Sequence, residues 1–123
     1  MQRDDAYLLD ILEAARLVVR YVSDKPLDEF KEDVQCQDAV IRRFILIGEA
    51  ANRISPETLE RYPQIPWREM IDMRNLVVHD YEGIDLLIVW DTAHQDLPKL
   101  IRSLEEATGI NDSEKPAGAE GGS

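Results

Sequence analysis

Apolar residues recur at steps of three and four along most of this chain, and that spacing commits it to helices. In the first segment Tyr7, Leu8, Ile11, Leu12, Ala15, Val18, Val19 and Val22 form one continuous stripe. Asp4 or Asp5 is placed to cap this helix, which should run to Tyr21 or Val22. Ser23-Asp-Lys-Pro26 breaks it. A second helical region has Leu27, Phe30 and Val34 as apolar positions. It leads into a longer helix, from about Gln35 to Ile54, that carries Ala39, Val40, Phe44, Ile47, Ala50, Ala51 and Ile54. Gly48 lies inside that helix, where glycine costs stability relative to alanine. Together with Ala50 and Ala51 it predicts a close approach of a second helix.

Ser55-Pro56 is a cap followed by proline at the first helical position. A short helix through Leu59 should end before Tyr62-Pro63, and residues 63–66 form an extended connector. Trp67 opens the next helix, with Met70, Ile71, Met73, Leu76, Val77 and Val78 as its apolar members, and Gly83 stops or bends the chain after Tyr81. Asp85 can cap a last helix from about Leu86 to Ala107. Pro98 falls inside it and should kink or split it. Gly109 is a C-terminal stop. The expected fold is all-α, an antiparallel bundle of four or five helices over residues 1–109. Residues 110–123 are rich in Gly, Ala, Ser and Glu, which predicts a disordered tail.

A length of 123 residues with 44% hydrophobic content supports a single domain with its own core. The lone cysteine, Cys36, cannot form an intramolecular disulfide and suits a reducing cytoplasm. It has no nearby histidine and reads as structural rather than nucleophilic. The opening residues lack the features of a signal peptide, and no apolar run is long enough to cross a bilayer. A cytoplasmic protein is expected.

The net charge of −11 argues against a broad electrostatic grip on nucleic acid. The charge is uneven, however. Residues 1–39 carry 5 basic and 10 acidic side chains, whereas residues 40–80 balance Arg42, Arg43, Arg53, Arg61, Arg68 and Arg74 against six acids. Every cation of that middle stretch is arginine, the better phosphate ligand. This leaves room for a local cationic cleft in an acidic body, whose remaining surface could receive a basic partner.

Residues 74–81, Arg-Asn-Leu-Val-Val-His-Asp-Tyr, crowd together a cation, an imidazole and a phenol. Arg74 can grip a phosphate through a bidentate fork. His79 can take and give protons near neutral pH. Asn75 and His79 are four residues apart and share a helix face. Arg74 and His79 are five apart, about 140° around an ideal helix. Either the helix unwinds before His79, or a second copy of the chain completes the site across a two-fold axis. Such a cleft suits RNA cleavage without a metal. His79 would act as general base or acid, Arg74 would stabilise charge on the phosphorane-like transition state, and Asn75 would orient the phosphate or imidazole. The products would be a 2′,3′-cyclic phosphate and a 5′-hydroxyl. The alternative for Asn75 is a hydrogen bond to backbone or to Asp72.

No metal site is expected. His79 and His94 are 15 residues apart, and there is no paired-histidine motif, cysteine cluster or calcium loop. His94 reads as an exposed helical residue. No glycine-rich phosphate loop is present, so no ATP site of the usual kinds is expected in the chain itself.

The ordered set Ile47-Gly48-Glu49-Ala50-Ala51, Pro63-Gln-Ile-Pro66-Trp67, Met73-Arg74-Asn75-Leu-Val-Val-His79-Asp80-Tyr81, Val89-Trp90 and Leu97-Pro98-Lys-Leu100 resembles the HepT-like toxins of the HEPN superfamily. The resemblance covers about residues 5–107. It implies an all-α HEPN fold, a homodimer and a metal-independent endoribonuclease centred on Arg74 and His79, with Asn75 matching the polar residue that follows the arginine. It also implies a toxin–antitoxin pair with a minimal nucleotidyltransferase antitoxin. That partner would use ATP and magnesium to transfer AMP onto Tyr81. A bulky anion there would neutralise the clamp and block RNA. The alternative is a non-catalytic helical docking module for a nucleotidyltransferase.

Overall fold

In the computed structural model, residues 2–80 and 82–110 are described. Seven α-helices follow one another: α1 (Gln2–Val22), α2 (Leu27–Glu32), α3 (Val34–Asn52), α4 (Pro56–Arg61), α5 (Trp67–His79), α6 (Leu86–Asp91) and α7 (Leu97–Thr108). A π-helical turn, Thr92–Asp96, joins α6 to α7. Among the described residues there is no strand, and the expected all-α bundle is borne out, with seven helices where four or five were expected. The expected tail lies outside the described residues apart from Ile110.

The helix α3 occupies the centre, packed against α5 on one side and α1 on the other, and α1 in turn packs on α7. The apolar stripes meet there. Ile11, Leu12, Ala15 and Val18 of α1, Val40, Phe44 and Ile47 of α3, Val77 of α5 and Leu104 of α7 are all buried in one cluster. Burying each such large side chain contributes about 1.5–3 kcal/mol, which outweighs the modest helix propensity of the β-branched residues. No helix among the described residues is long and apolar enough to cross a membrane.

Several sequence expectations hold at the level of single residues. Ser55 caps α4 with Pro56 next to it, and Asp85 caps α6 through the Leu87 N–H at 2.9 Å. Gly109 ends α7 in the left-handed region at φ 75°. The helix α4 runs to Arg61, one turn-fragment beyond Leu59, and still ends before Tyr62.

Others need correction. Asp4 is no cap, because α1 already begins at Gln2. Its buried carboxylate instead accepts hydrogen bonds from the Ser55 N–H, the Ser55 hydroxyl and the Thr58 hydroxyl, tying α1 to the start of α4. These hydroxyl bonds hold the Asp4 carboxyl below its ordinary value of 3.8. Val34 is not a core position of the second helix. It begins α3 and is 63% exposed, because Asp33 caps α3 through the Cys36 N–H at 3.0 Å and so fixes the helix start there. Leu76 and Val78 of α5 also face outward, since only Met70 and Val77 of that helix are fully buried against α3.

Pro98 marks the expected division of the last helical stretch, standing at the start of α7, which the π turn Thr92–Asp96 separates from α6. The residues flanking the π turn keep right-handed helical dihedrals, and the Leu97 N–H reaches the Thr92 carbonyl. Widening one turn lets the proline, which has no N–H and would clash with the carbonyl one turn back, sit at the start of α7. His94, within this turn, is not an exposed residue. One ring nitrogen lies 2.9 Å from the Trp90 carbonyl and the other 3.0 Å from the Val22 carbonyl at the end of α1. Its ring stacks on Trp90, whose indole N–H donates to the Lys25 carbonyl at 2.8 Å. The pattern of spacing around His94 could not reveal a partner 72 residues away.

Candidate functional site

The seat of the site is the crossing of α3 and α5. Gly48 has no Cβ, and a methyl group placed there would stand 2.1 Å from the Arg74 Cβ and 2.9 Å from the Met70 carbonyl oxygen. The two backbones therefore meet closer than any other residue would permit, as Gly48 and its small neighbours predict. Arg74 emerges directly over this contact.

Its guanidinium is held from two sides. One Nη donates to the Asn75 Oδ1 at 3.0 Å, and the other lies 3.7 Å from the Glu49 Oε2. Asn75 thus bonds to its neighbouring arginine, and the alternative partner Asp72 is not used. Around these groups lies a recess of about 290 Å³ lined by Gly48, Glu49, Asn52, Arg53, Ile71, Arg74 and Asn75. Gly48, Glu49 and Asn52 of this lining come from α3, and Arg53 is its C-cap. Glu49, Asn52 and Arg53 escaped the sequence reading as site residues. Their signal was there, since the Gly48 approach places the following turn of α3 beside Arg74.

His79 stands elsewhere. The helix α5 continues without unwinding up to His79 itself, with Asp80 as its C-terminal cap. Of the two ways of joining Arg74 and His79, local unwinding before His79 is therefore excluded. The imidazole is exposed, lies outside the recess lining and has no hydrogen bond or ion pair to another described residue. The five-residue step leaves the two side chains about 140° apart around α5. By the same geometry Ile71, Asn75 and Val78 share one face. Val78 is exposed and Ile71 half-buried there. Tyr81, the expected modification site, lies outside the described residues.

Cys36 matches its structural reading. Its thiol points to the Tyr21 carbonyl at 3.7 Å, and burial pushes its pKa above the ordinary thiol value. Among the described residues, no group of three or more His, Cys, Asp or Glu side chains gathers in a way that could hold a metal ion.

Comparison with known proteins gives this crossing a context. The family described as Ribonuclease HepT-like matches residues 11–107, a span that holds α3, α5 and the whole recess. The chain belongs to this family. "Putative RNase MJ1380" of Methanocaldococcus jannaschii is 38% identical over 100 residues, which cover 81% of this chain and 92% of the relative. "Probable ribonuclease HepT" of Thermococcus cleftensis is 38% identical over 100 residues, 81% and 91% of the two chains. A third, "Gamma-glutamylcyclotransferase and putative RNase MJ0434" of M. jannaschii, is 43% identical over 94 residues, 76% of this chain but 42% of that longer protein. No solved structure matches the chain. In this HepT-like chain the matched span includes every expected site residue: Arg74, Asn75, His79 and Tyr81 all fall within it.

Proposed function

We propose that the chain is the toxin of a HEPN/nucleotidyltransferase toxin–antitoxin pair and cleaves RNA without a metal, in a cleft shared by two copies. The observation that carries this reading is the placement of Arg74 in a polar recess while His79, five residues on, ends the same unbroken helix outside the recess lining. Within one chain His79 does not line the recess that holds Arg74. Across a two-fold axis along α5, Arg74 of one protomer meets His79 of its partner, and the exposed Val78 on that face gains cover.

In the composite cleft His79 takes the proton of a ribose 2′-hydroxyl, and the oxygen attacks the adjacent phosphorus. The P–O5′ bond breaks, leaving a 2′,3′-cyclic phosphate, and the 5′-oxygen receives a proton. Arg74 stabilises the extra negative charge of the transition state, and Asn75 keeps the guanidinium oriented. The partner is a minimal nucleotidyltransferase that binds ATP and magnesium. The Tyr81 hydroxyl attacks the α-phosphate, pyrophosphate leaves, and the AMP group adds bulk and negative charge beside the clamp. Site and partner act in the cytoplasm.

Expression of the wild type against Arg74→Ala and His79→Ala tests the enzyme reading. Wild type should arrest growth and yield RNA fragments ending in cyclic phosphate, and neither variant should. Equal toxicity of all three would refute this active site. For the modification, intact mass after incubation with the partner and ATP should rise by one or more adenylyl groups and should not in Tyr81→Phe.

A further inference from the structure

The charges of the recess do not balance in the way a phosphate site built on Arg74 alone would need. Glu49 lies 3.7 Å from the Arg74 guanidinium, so the local charge of the clamp is already offset by a carboxylate. What restores a positive recess is Arg53. It is the C-cap residue directly after α3, one helical turn after Glu49, and lines the same 290 Å³ space. An i,i+4 pair with Glu49 is within reach on a helix. The Glu49 carboxylate is instead paired with Arg74, and Arg53 has no ion pair or side-chain hydrogen bond to another described residue. With Arg53 the recess holds two guanidiniums against one carboxylate; without it the sum is zero.

Arg53 also stands at a junction. Together with Glu49 it lines a second depression, a groove of about 490 Å³ between α1 and α3 whose charged lining sets Arg16, Arg20, Arg43 and Arg53 against Asp10, Glu13 and Glu49. A strand leaving the Arg74 recess toward α1 therefore passes over Arg53 into a groove that offers further arginines. Elsewhere the surface of this strongly acidic chain repels a polyanion. The amides of Asn52 and Asn75 in the recess can donate to phosphate or ribose oxygens alongside the guanidiniums.

We propose that Arg53 is an RNA-binding residue, holding the phosphate that flanks the scissile one and directing the strand from the Arg74 recess into the α1–α3 groove. This deepens the ribonuclease reading and rests on it. Binding involves no covalent step. Arg53 supplies the net charge that draws the backbone in, and the Glu49–Arg74 pair opens when a phosphate competes for the guanidinium.

The test measures binding, not cleavage, so that it stays separate from the test of catalysis. The full-length His79→Ala protein is titrated with a fluorescent mixed-sequence single-stranded RNA over a range of salt concentrations. Each phosphate neutralised on a single strand adds about 0.7 to the slope of log affinity against log salt. Adding Arg53→Gln should weaken binding and lower that slope by about 0.7, whereas Arg53→Lys, which keeps the charge, should preserve most of it. Arg102→Gln on the exposed face of α7 is the control for overall charge and should leave the slope in place. An unchanged slope in Arg53→Gln would overturn the proposal. So would an equal fall in Arg102→Gln, or failure of the parent His79→Ala protein to bind RNA. If the parent binds and Arg53→Gln does not alter it, the subsite fails while the catalytic reading stands. If the wild type fails to cleave RNA, the catalytic reading fails on its own evidence.

Discussion

Gly48 of α3 lies directly beneath Arg74 of α5, so close that a Cβ at position 48 would come within 2.1 Å of the arginine's own Cβ. One missing methyl group thus decides both how tightly the two helices cross and where the guanidinium emerges. An alanine at this position, normally the better helix residue, must push α5 away or bend it.

Gly48→Ala should therefore lower unfolding stability by about 1–3 kcal/mol, the usual cost of overpacking a close contact. It should also reduce RNA cleavage, because Arg74 moves with α5. Chemical denaturation and a cleavage assay check both; a variant with unaltered midpoint and activity would show that the crossing has slack.

The shared cleft makes a complementation prediction. Arg74→Ala and His79→Ala proteins, each inactive alone, should recover activity when co-expressed. A mixed dimer pairs the intact arginine of one protomer with the intact histidine of the other. Random mixing makes half the dimers mixed with one sound pair out of two, so about one quarter of wild-type activity is expected. No recovery, with mixed dimers verified by mass, would mean that each chain carries its own site.

Glu49→Gln removes the carboxylate beside Arg74 and leaves the Asn75 bond to hold the guanidinium. RNA affinity at low salt should rise by about 1.4- to fivefold, in line with the 0.2–1 kcal/mol typical of a solvent-accessible ion pair. Weaker binding would indicate that Glu49 orients Arg74 and does not compete with phosphate for it.

Asp4 gives the fold an acid limit. Its carboxyl is held below 3.8 by the Ser55 and Thr58 hydroxyls, so the folded state binds that proton less readily than the unfolded chain does. The resulting stabilisation is present above about pH 4 and disappears as the pH falls through the lowered folded-state value. Asp4→Asn should be less stable than wild type at neutral pH, and the gap should narrow on acidification. Thermal melts across pH 2 to 7 would reveal a constant gap if the tether contributed nothing.

His94→Ala leaves the Val22 and Trp90 carbonyls without their shared ring and removes the stacking on Trp90. A loss of about 0.5–1.5 kcal/mol is expected from the lost ring hydrogen bond, because the Val22 carbonyl keeps the Lys25 N–H at 3.0 Å. RNA cleavage per folded molecule should be retained, because this ring lies outside the α3–α5 recess. A melting point equal to wild type would show that water replaces the ring at no cost.

Order and kind of element were legible in the sequence because helices are local objects. The three-and-four spacing, Ser55 before Pro56, Asp85 before Leu86 and Gly109 after Thr108 act through bonds within a turn or two, and each appears where expected. Gly48 announced a close approach, and Arg74, Asn75 and His79 announced their chemistry by residue type. Tertiary structure alone decided which partners these residues meet. Asp4 left its expected capping role for hydroxyls 51 and 54 residues away. His94 found the end of α1, Pro98 was absorbed by a π turn, and Glu49 and Arg53 became the walls of the Arg74 recess. The physical reason is that propensity and capping energies are fixed by near neighbours. Burial, charge balance and hydrogen-bond partners at a helix crossing depend on which distant surface the chain brings into contact.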